Sequence, residues 1–415
     1  MKAPNCLVVA ERFPNIYESY ILNQIEFLIR NDAKVNVVSG PPLGRRFDER
    51  IDRYGLDELN FRYAFDTLSD VTSALRPFVN STYKQCRPYQ GIRRLIKSRH
   101  FKTLGLKNKL KALVKSPILG SATKFEVVHA HRIGLAYEHI FLSEVLNVPL
   151  VVSFHGLQTT DLSRPFFLNA IATNHLFKEM KLITAGTNYA KDVLIHCGCP
   201  TEKIRVVPVG IHLEEFPFHP RAFSAARKIV LLTVARLSAE KGHEYAITAV
   251  KMLRMKGLEI EYRIVGDGPL TAQLKAFAAS QGVADSVVFL GEKENEALRQ
   301  EYRNADIFVL ASVYENDNAL KGETQGLVIQ EAQASGKLVV ATRIGGIPEC
   351  VDSDRSVLLV EQRSAEQLAT AIESLLQNGH EWDGRQRTGR AWVERHFSMD
   401  VLGRQLLNVY EEAMR

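Results

Sequence analysis

Two glutamates in the second half of the chain have a spacing that suits the two ends of an elongated polar ligand. Glu323 and Glu331 are eight residues apart in the segment 322–336. We expect Glu323 in a loop or a first helical turn and Glu331 within a helix. If both were helical, they would be about 12 Å apart along the axis, since a helix rises about 1.5 Å per residue. Taken alone, Glu331 would be interpreted as an exposed helix glutamate, and only the surrounding pattern favours a binding role.

Two cations precede this pair and also follow a predicted strand. Arg236 and Lys241 lie in the segment 234–242, in a turn that enters a helix. Cations beside the unpaired N–H groups of a helix start suit a diphosphate, although an arginine and a lysine in a loop are usually only solvated. The helix start between Glu323 and Glu331 offers further N–H groups to phosphate. One carboxylate could then bind the sugar hydroxyls of a nucleotide sugar and the other its ribose hydroxyls.

Glycine-containing turns follow two more predicted strands of the same half. The sequence is Gly-Asp-Gly at 266–268 and Gly-Gly at 345–346. Glycine lets the backbone approach a ligand closely. Each turn alone is an ordinary strand–turn–helix junction, so the turns support a site only in combination with the charged residues.

One histidine of the first half also follows a predicted strand, as the charged and glycine-containing segments of the second half do. His155 follows directly on a predicted strand at 150–154. There it could point into a cleft between two domains and hydrogen-bond a sugar or an acceptor. A loop histidine with its hydrogen bonds satisfied inside the protein is the alternative interpretation.

The elements that must position these residues are short apolar, β-branched runs alternating with longer amphipathic stretches. Runs of this kind fit buried parallel strands, and the alternation predicts an α/β fold with doubly wound sheets. The predicted strands are 6–10, 35–39, 127–130, 150–154, 182–185, 204–208, 229–235, 262–265, 287–290, 307–311, 338–341 and 357–360. The predicted helices include 20–30, 245–256, 270–281, 326–335 and a single last helix at about 391–414.

The strands divide into two groups of similar size. Pro217 and Pro220 interrupt the periodicity between the groups. We therefore predict an N-terminal Rossmann-like domain at 1–210, a second Rossmann-like domain at 211–390 and a C-terminal helix at 391–415. Ligands of open α/β sheets bind at the carboxyl ends of the strands, which is where the charged and glycine-containing segments lie.

Taken together, these segments closely resemble the retaining glycosyltransferases of family 4, which have the two-domain GT-B fold. Glu323 and Glu331 resemble the family's two glutamates separated by seven residues. Four further motifs stand in the family's order: A-R-L-x-x-x-K-G at 235–242, G-D-G-P at 266–269, F-L-G at 289–291 and A-T-x-x-G-G-x-P-E at 341–349. The stretch 204–212 resembles the segment before the family's linker. The resemblance covers residues 150–360 closely and the first third of the chain less closely.

The resemblance implies a role for each residue. Arg236 and Lys241 would hold the donor diphosphate and stabilise leaving-group charge. Glu323 would bind the donor sugar near the reacting carbon, Glu331 would bind the ribose, and His155 would lie near the sugar. The C-terminal helix would cross back to the N-terminal domain. The other implied donor contacts are Gly266, Asp267, Gly268, Leu290, Gly291, Glu292, Gly326 and Leu327. Retention in this family is ascribed to attack from the leaving-group side, with the leaving phosphate accepting the acceptor's proton, so no protein nucleophile is implied.

The resemblance also implies that no cofactor and no metal are needed. Two sequence features could imitate metal sites. His129 and His131 form a His-Ala-His pair, for which we favour a strand-end role near the acceptor. Asp352 and Asp354 spell Asp-x-Asp but lie outside the motifs and ahead of a strand, so we expect them in a surface loop.

Departures from the family pattern point to one of its branches. Thr324 and Gln325 stand where the family commonly has a glycine and an aromatic residue, and the loop 314–322 is longer and more polar than usual. This loop and the segment 12–24 resemble the branch that acts in bacterial capsule, exopolysaccharide and lipopolysaccharide synthesis. That likeness implies a lipid-linked glycan as the acceptor.

Three alternatives stay open beside this interpretation. The same fold also serves epimerases and phosphorylases. The two motif glutamates with Arg236 and Lys241 disfavour an epimerase, and the short chain without an evident pyridoxal phosphate lysine motif disfavours a phosphorylase. A catalytically inactive, nucleotide-binding subunit is the third alternative, which the intact motif acids and cations disfavour.

Composition bounds the compartment and the class of protein. The chain has 415 residues and an ordinary globular composition, with 46% hydrophobic and 24% charged residues. The apolar stretch near the N-terminus is too short for a signal peptide, and no run approaches the roughly 18 apolar residues of a membrane span. Five cysteines, an odd and sparse set, favour reduced thiols. These features predict a cytoplasmic protein.

The net charge of +6 is spread unevenly. The segment 83–115 holds eleven Lys or Arg and no Asp or Glu, with apolar residues interleaved. This pattern predicts a basic amphipathic helical region at 84–115. It suits the anionic headgroups at the inner face of a plasma membrane, while a solvated helical face remains the plain alternative. Nucleic acid is disfavoured because no aromatic-rich platform accompanies the charge.

Overall fold

The computed structural model describes residues 2–15, 18–40, 49–56, 60–62, 88–103, 105, 109, 112–113, 118–119, 123–157, 170–224, 226–293, 295–314 and 318–415. The chain forms two compact units. The first consists of Met1–Gly186, Lys191–Val207 and Gly403–Arg415. The second consists of Thr187–Ala190 and Pro208–Leu402.

The first unit is built on a seven-stranded sheet in which every strand pairing is parallel. Its strands are β1 (Cys6–Arg12), β2 (Val35–Gly40), β3 (Asn60–Arg62), β4 (Val127–His131), β5 (Leu150–Phe154), β6 (Leu182–Ala185) and β7 (Ile204–Val206). Their order is β3-β2-β1-β4-β5-β6-β7. The helices that alternate with them are Ser19–Arg30, Glu49–Arg53, Pro88–Lys97, Arg99–Thr103, Ile133–Leu146, Ala170–Glu179 and Asn188–His196.

The second unit has a six-stranded sheet, again parallel throughout. Its strands are β8 (Ile229–Val234), β9 (Ile260–Val265), β10 (Val287–Phe289), β11 (Ile307–Leu310), β12 (Leu338–Thr342) and β13 (Val357–Val360). Their order is β10-β9-β8-β11-β12-β13. The helices are His243–Met255, Thr271–Ser280, Asn295–Asn304, Leu327–Ala334, Ala365–Gln377 and Trp382–His396, with short 3₁₀ turns at Ala239–Lys241 and Ile347–Cys350.

Both faces of the second sheet are covered, as the apolar runs predict. Along β8, Leu231 belongs to one buried cluster and its neighbour Leu232 to another. Successive side chains of a strand point to opposite faces, so the two clusters lie on opposite sides of the sheet. A strand that is buried on both faces must be apolar throughout, and this gives β8 its continuous hydrophobic sequence.

The α/β prediction with two doubly wound sheets is confirmed. Each of the twelve predicted strands is present with its ends within two residues of the prediction. In both sheets the strand order reverses once, between β1 and β4 and between β8 and β11. The loops leaving the two central strands diverge at such a point and open a crevice at the carboxyl ends, where ligands of this architecture bind.

The prediction of one last helix at 391–414 is wrong. The structure has two helices, Trp382–His396 and Met399–Met414, separated by Phe397 and Ser398. The break occurs because the backbone pairs elsewhere: Ile211 donates its N–H to the Phe397 carbonyl at 2.9 Å and accepts from the Met399 N–H at 2.8 Å. From Gly403 onward the last helix belongs to the first unit. Among the described helices, none is both long enough and apolar enough to cross a bilayer.

Candidate active site

An ion pair lies where the strand order of the second sheet reverses. The Nζ of Lys241, which follows β8, donates to Oε2 of Glu323, in the segment after β11, at 2.6 Å. The two side chains are 23% and 18% exposed, so a ligand can reach them. Burial by itself would lower the pKa of Lys241, but the adjacent Glu323 carboxylate more than offsets burial and the pKa is raised. Lys241 therefore stays cationic at physiological pH, beside a carboxylate.

The turn that carries Lys241 packs backbone against backbone on the end of β11. The Val313 N–H donates to the Glu240 carbonyl at 2.8 Å. Gly242 has φ +60°, and a Cβ at this residue would lie 2.0 Å from the Ala311 carbonyl oxygen. Only glycine fits here, because any side chain would push the Lys241 turn away from the strand.

The Gly-Gly turn after β12 holds the loop that carries Glu323 in place through backbone contacts. The Gly346 N–H donates to the Glu323 carbonyl at 2.8 Å. Gly345 has φ +52°, and a Cβ there would lie 2.1 Å from the same carbonyl oxygen. The hydroxyl of Thr187 donates to the Thr324 carbonyl at 2.9 Å. The Gly345–Gly346 turn, predicted from the sequence as tight backbone, thus fixes the position of the Glu323 backbone.

Gln325, one of the departures from the family pattern, has a structural function that the sequence did not predict. Its Oε1 accepts the Val209 N–H at 2.7 Å, and its Nε2 donates to the Val209 carbonyl at 2.8 Å. The side chain is buried. Gln325 therefore clamps the segment after β7 onto the loop between the two motif glutamates. Periodicity carries no signal of this contact, because the two residues are 116 positions apart.

Arg236 is exposed at the end of β8. Its backbone is held in place: the carbonyl accepts from Nε2 of His243 at 3.0 Å, and the next residue, Leu237, donates its N–H to the Asp267 carbonyl at 3.0 Å. Within the part of the chain that the structure describes, no hydrogen bond of the Arg236 guanidinium is present. The structure does not bring this side chain into contact with the Lys241–Glu323 pair.

The Gly-Asp-Gly turn after β9 is tightly packed. Gly266 has φ +133°, and a Cβ there would lie 2.0 Å from the Ala235 carbonyl oxygen. Asp267 accepts hydrogen bonds at Oδ1 from the Gly268 N–H at 2.7 Å and from the Thr271 hydroxyl at 2.5 Å. These bonds, the one from Thr271 first, lower the pKa of Asp267. Its exposed carboxylate is therefore bonded to the hydroxyl of Thr271, the first residue of the following helix.

The segment after β10 pairs with this turn. The Gly266 N–H donates to the Gly291 carbonyl at 2.8 Å, and the Leu290 N–H donates to the Ile264 carbonyl at 2.9 Å. Gly291 adopts φ +67° with open space around the position of a Cβ, and Glu292 is exposed. The structure thus brings the turns predicted to contact the donor at 266–268 and 290–292 side by side.

The second motif glutamate is buried, contrary to what its position alone would indicate. Gly326, with φ +78°, caps the helix that begins at Leu327, and Glu331 lies in its second turn with only 7% exposure. Burial raises the pKa of Glu331 to about 7, although a hydrogen bond from Tyr302 acts in the opposite direction. Among the described residues, no hydrogen bond or ion pair joins Glu331 to Lys241 or Glu323. Glu331 lies on the helix that begins four residues after Glu323.

In the first unit, His155 lies in a cluster of aromatic rings at the end of β5. Its Nε2 is 3.2 Å from Nδ1 of His131, with the two rings stacked, and its ring centroid is 4.3 Å from that of Tyr20. Burial, with the nearby charges of Arg132 and His129, lowers the pKa of His155 to about 3. His155 is therefore a neutral hydrogen-bonding group at physiological pH and not a general acid.

His129, the first histidine of the His-Ala-His pair, lies within β4 and is hydrogen-bonded at both ring nitrogens. Nδ1 of His129 is 2.7 Å from the Tyr410 hydroxyl, and Nε2 is 2.8 Å from Oγ of Ser153. Burial lowers the pKa of His129 to about 3. With both ring nitrogens engaged, His129 links β4 to β5 and to the last helix.

Arg132 is a further residue that the sequence did not single out. It follows β4, at the reversal point of the first sheet, and has φ +101°. Its guanidinium donates to Glu11 at 2.7 Å and, through Nε, to Glu18 at 3.0 Å. Non-glycine residues with positive φ are uncommon and concentrate at functional sites. The position directly after a strand was the only signal in the sequence.

Part of the predicted basic region is described. It forms the helices Pro88–Lys97 and Arg99–Thr103, while much of the rest of 84–115 lies outside the described residues. Leu95 is buried and Ile96 is 54% exposed. The exposed cations on these helices are Arg93, Arg94, Lys97, Arg99 and Lys102.

Comparison with known proteins identifies the family. The model for "Glycosyltransferase Family 4" matches residues 17–215, and the model for "Glycosyl transferases group 1" matches residues 217–392. Between them they take in most of both units, including His155 and the Lys241–Glu323 pair. The chain belongs to glycosyltransferase family 4. The resemblance of the motifs to family 4 is thereby confirmed.

Relatives match this family 4 glycosyltransferase along nearly its whole length. It is 29% identical over 409 residues to the amylovoran biosynthesis glycosyltransferase AmsK of Erwinia amylovora. The matched residues make up 96% of this chain and 97% of that protein. Its fold is similar to that of Anabaena HepE, solved with UDP and glucose (TM-score 0.72, 17% identity, 98% and 99% of the two chains). It is also similar to a glycosyltransferase from Rickettsia africae ESF-5 (TM-score 0.68, 18% identity, 100% of each chain).

Proposed function

We propose that this glycosyltransferase moves a sugar from a nucleotide-diphosphate sugar to an acceptor hydroxyl with retention of configuration. The observation that carries the proposal is the ion pair between Lys241 and Glu323 at the reversal point of the second sheet. An ammonium group suits a phosphate oxygen, and a carboxylate accepts hydrogen bonds from sugar hydroxyls. The two groups therefore match the two halves of a sugar–phosphate bond.

The proposed chemistry needs charge stabilisation more than a protein nucleophile. The acceptor oxygen attacks the anomeric carbon from the side on which the diphosphate leaves. The bond from that carbon to the phosphate oxygen breaks, the bond to the acceptor oxygen forms, and the acceptor's proton passes to the departing phosphate. Arg236 and Lys241 would stabilise the charge on the leaving diphosphate, and Glu323 would hold the sugar. His155, neutral and half-buried, would hydrogen-bond the sugar or the acceptor. In this scheme no metal or other cofactor takes part.

For the acceptor we propose a lipid-linked glycan in the synthesis of a bacterial surface polysaccharide. The name of AmsK places that relative in amylovoran biosynthesis, and the loop and N-terminal features above favour the same branch. The exposed cations of the helices Pro88–Lys97 and Arg99–Thr103 would bind anionic lipid headgroups at the inner face of the plasma membrane. Each basic residue near such a surface contributes about 1 kcal/mol.

A donor panel tests the proposed reaction. Turnover of UDP-, GDP-, ADP- and dTDP-sugars is measured for the wild type, with membrane extract as the source of acceptor. We expect one donor to be used, and its kcat/KM to fall by about 100-fold or more in Glu323→Gln and in Arg236→Ala, because each removes a group that we propose binds the donor at the reacting centre.

The matched control for that panel is Glu373→Gln. Glu373 pairs with Lys256 at 2.5 Å on the surface of the same unit, so this variant also removes the carboxylate of a Lys–Glu pair. It should leave kcat/KM unchanged. Wild-type protein that binds a nucleotide but turns over no donor would favour the alternative of a catalytically inactive nucleotide-binding subunit.

Vesicle binding tests the proposed membrane contact. The triple variant Arg93→Gln, Lys97→Gln and Lys102→Gln should bind phosphatidylserine-containing vesicles about 100-fold more weakly than the wild type, because three charges worth about 1 kcal/mol each are removed. Sedimentation with these vesicles at low and high salt gives the measurement.

The control triple variant removes the same charge elsewhere. Arg254, Lys256 and Lys275 are exposed on the second unit, and their replacement by glutamine should leave vesicle binding close to that of the wild type. Equal losses in the two triple variants would show that net charge alone, and no docking surface, accounts for the binding.

A further inference from the structure

One buried contact joins the second motif glutamate to a residue outside every motif. The hydroxyl of Tyr302, in the helix Asn295–Asn304, donates to Oε2 of Glu331 at 2.8 Å. Tyr302 is fully buried. Among the described residues, Tyr302 makes the one side-chain hydrogen bond to the Glu331 carboxylate.

The tyrosine ring is held so that its hydroxyl has a fixed position. Phe216 meets the ring edge-on at a centroid distance of 5.9 Å, and Phe308 packs against it at 6.1 Å. A tyrosine has only two side-chain torsions, and contact with these two rings in a fully buried position restrains both of them. Glu331 has three torsions, so the hydrogen bond from a fixed donor selects one orientation of its carboxylate.

The direction of this hydrogen bond is settled by the chemistry of the pair. Burial raises the pKa of the Tyr302 hydroxyl well above its usual range, and the nearby Glu331 carboxylate acts in the same direction. The hydroxyl therefore stays protonated and donates a hydrogen bond to the carboxylate. An ionised carboxylate can accept several hydrogen bonds. Glu331 can therefore accept hydrogen bonds from the hydroxyl groups of a ligand while it also accepts the one from Tyr302.

We propose that Tyr302 is a positioning residue for nucleotide binding: it orients the Glu331 carboxylate toward the ligand's ribose hydroxyls and keeps it an acceptor. The inference rests on the proposed function and on the role that the family resemblance implies for Glu331, which is to bind the ribose of the donor. Tyr302 is thus a buried core residue whose one side-chain hydrogen bond, among the described residues, is with a residue of the candidate site.

The test is Tyr302→Phe, which removes one oxygen atom and leaves the ring. Binding of UDP, GDP and ADP is measured by titration calorimetry, and the nucleotide with the tightest binding is used. We expect the variant to bind it about tenfold more weakly, the size of effect typical of a hydrogen bond to a charged group. With the matching nucleotide sugar, the KM of the donor should rise while kcat changes little.

Tyr262→Phe is the matched control. Tyr262 is also buried in the second unit, and its hydroxyl is 2.8 Å from Oγ1 of Thr233. Among the described residues, it makes no hydrogen bond to Glu323 or Glu331. This variant removes the same atom from the same kind of environment. It should lower the melting temperature by about as much as Tyr302→Phe and leave nucleotide affinity unchanged.

The pH dependence separates positioning from a general structural effect. In the wild type, Glu331 is ionised above its pKa of about 7, so nucleotide affinity should fall as the pH falls through 7. The hydrogen bond from Tyr302 lowers that pKa, so its removal should move the inflection to higher pH. If Tyr302→Phe only loosened the fold, nucleotide affinity would fall by the same factor at every pH, and the inflection of affinity against pH would not move.

Glu331→Gln distinguishes failure of the inference from failure of the proposed function. If Glu331→Gln binds the nucleotide as the wild type does, or the wild type binds none of the three nucleotides, the proposed ribose site is wrong. If Glu331→Gln weakens binding but Tyr302→Phe behaves like Tyr262→Phe, the ribose site stands and the positioning role of Tyr302 is overturned.

Discussion

Replacement of Lys241 by methionine is expected to lower kcat for sugar transfer by about 10²–10³-fold, the loss typical when one preorganised charge is removed from a transition state. Methionine keeps the length and apolar character of the side chain and removes only the cation. The leaving diphosphate would then lose a charge partner, and Glu323 would lose the ammonium group that lies 2.6 Å from its carboxylate. Initial rates with the donor identified by the panel give the measurement.

Lys256→Met controls for the loss of a Lys–Glu pair as such, because Lys256 makes a similar pair with Glu373 on the surface. It should change neither kcat nor KM. Lys241→Met and Glu323→Gln are also combined in one chain. Residues in contact are not additive, so the double variant should lose much less than the product of the two single losses. A Lys241→Met rate equal to that of Lys256→Met would exclude a catalytic role for the ammonium group.

The fold could be predicted from the sequence because its physics is local. Strands buried on both faces must be apolar throughout, so β8 and β11 stand out as short continuous runs between helices. β3, at Asn60–Arg62, was missed because a three-residue strand with a single apolar residue, Phe61, carries no such signal. The break at Phe397 was missed because its cause is a backbone pairing with Ile211, nearly two hundred residues earlier in the chain.

The residues of the candidate site that come directly after strands could be predicted from the sequence. Lys241 and Glu323 come after β8 and β11, which are neighbours at the reversal point of the sheet, so the topology alone brings their segments together. Tyr302 and Gln325 could not be predicted in the same way. A tyrosine at a helical spacing looks like a core residue, and only the packed structure shows that its hydroxyl meets Glu331.

Replacement of Gly345 by alanine is expected to abolish most activity while the sheet stays folded. Two effects combine: alanine at φ +52° is strained by about 1 kcal/mol, and the new Cβ would lie 2.1 Å from the Glu323 carbonyl oxygen. Backbone cannot tolerate that distance, so the loop carrying Glu323 must move. A displacement of about 1 Å at a reacting centre can lower the rate by about 100-fold, and we expect a kcat loss of that size with a modest fall in melting temperature.

Gly282→Ala separates the strain from the displacement. Gly282 belongs to the same unit and has φ +70°, but nothing lies within 4 Å of the position of its Cβ. This variant therefore carries the conformational penalty alone and should keep wild-type kcat with a lower melting temperature. If Gly345→Ala were as active as Gly282→Ala, the Gly-Gly turn would not be what positions Glu323. If it lost activity with the donor still bound, the carboxylate's placement, and not merely its presence, would be what the reaction requires.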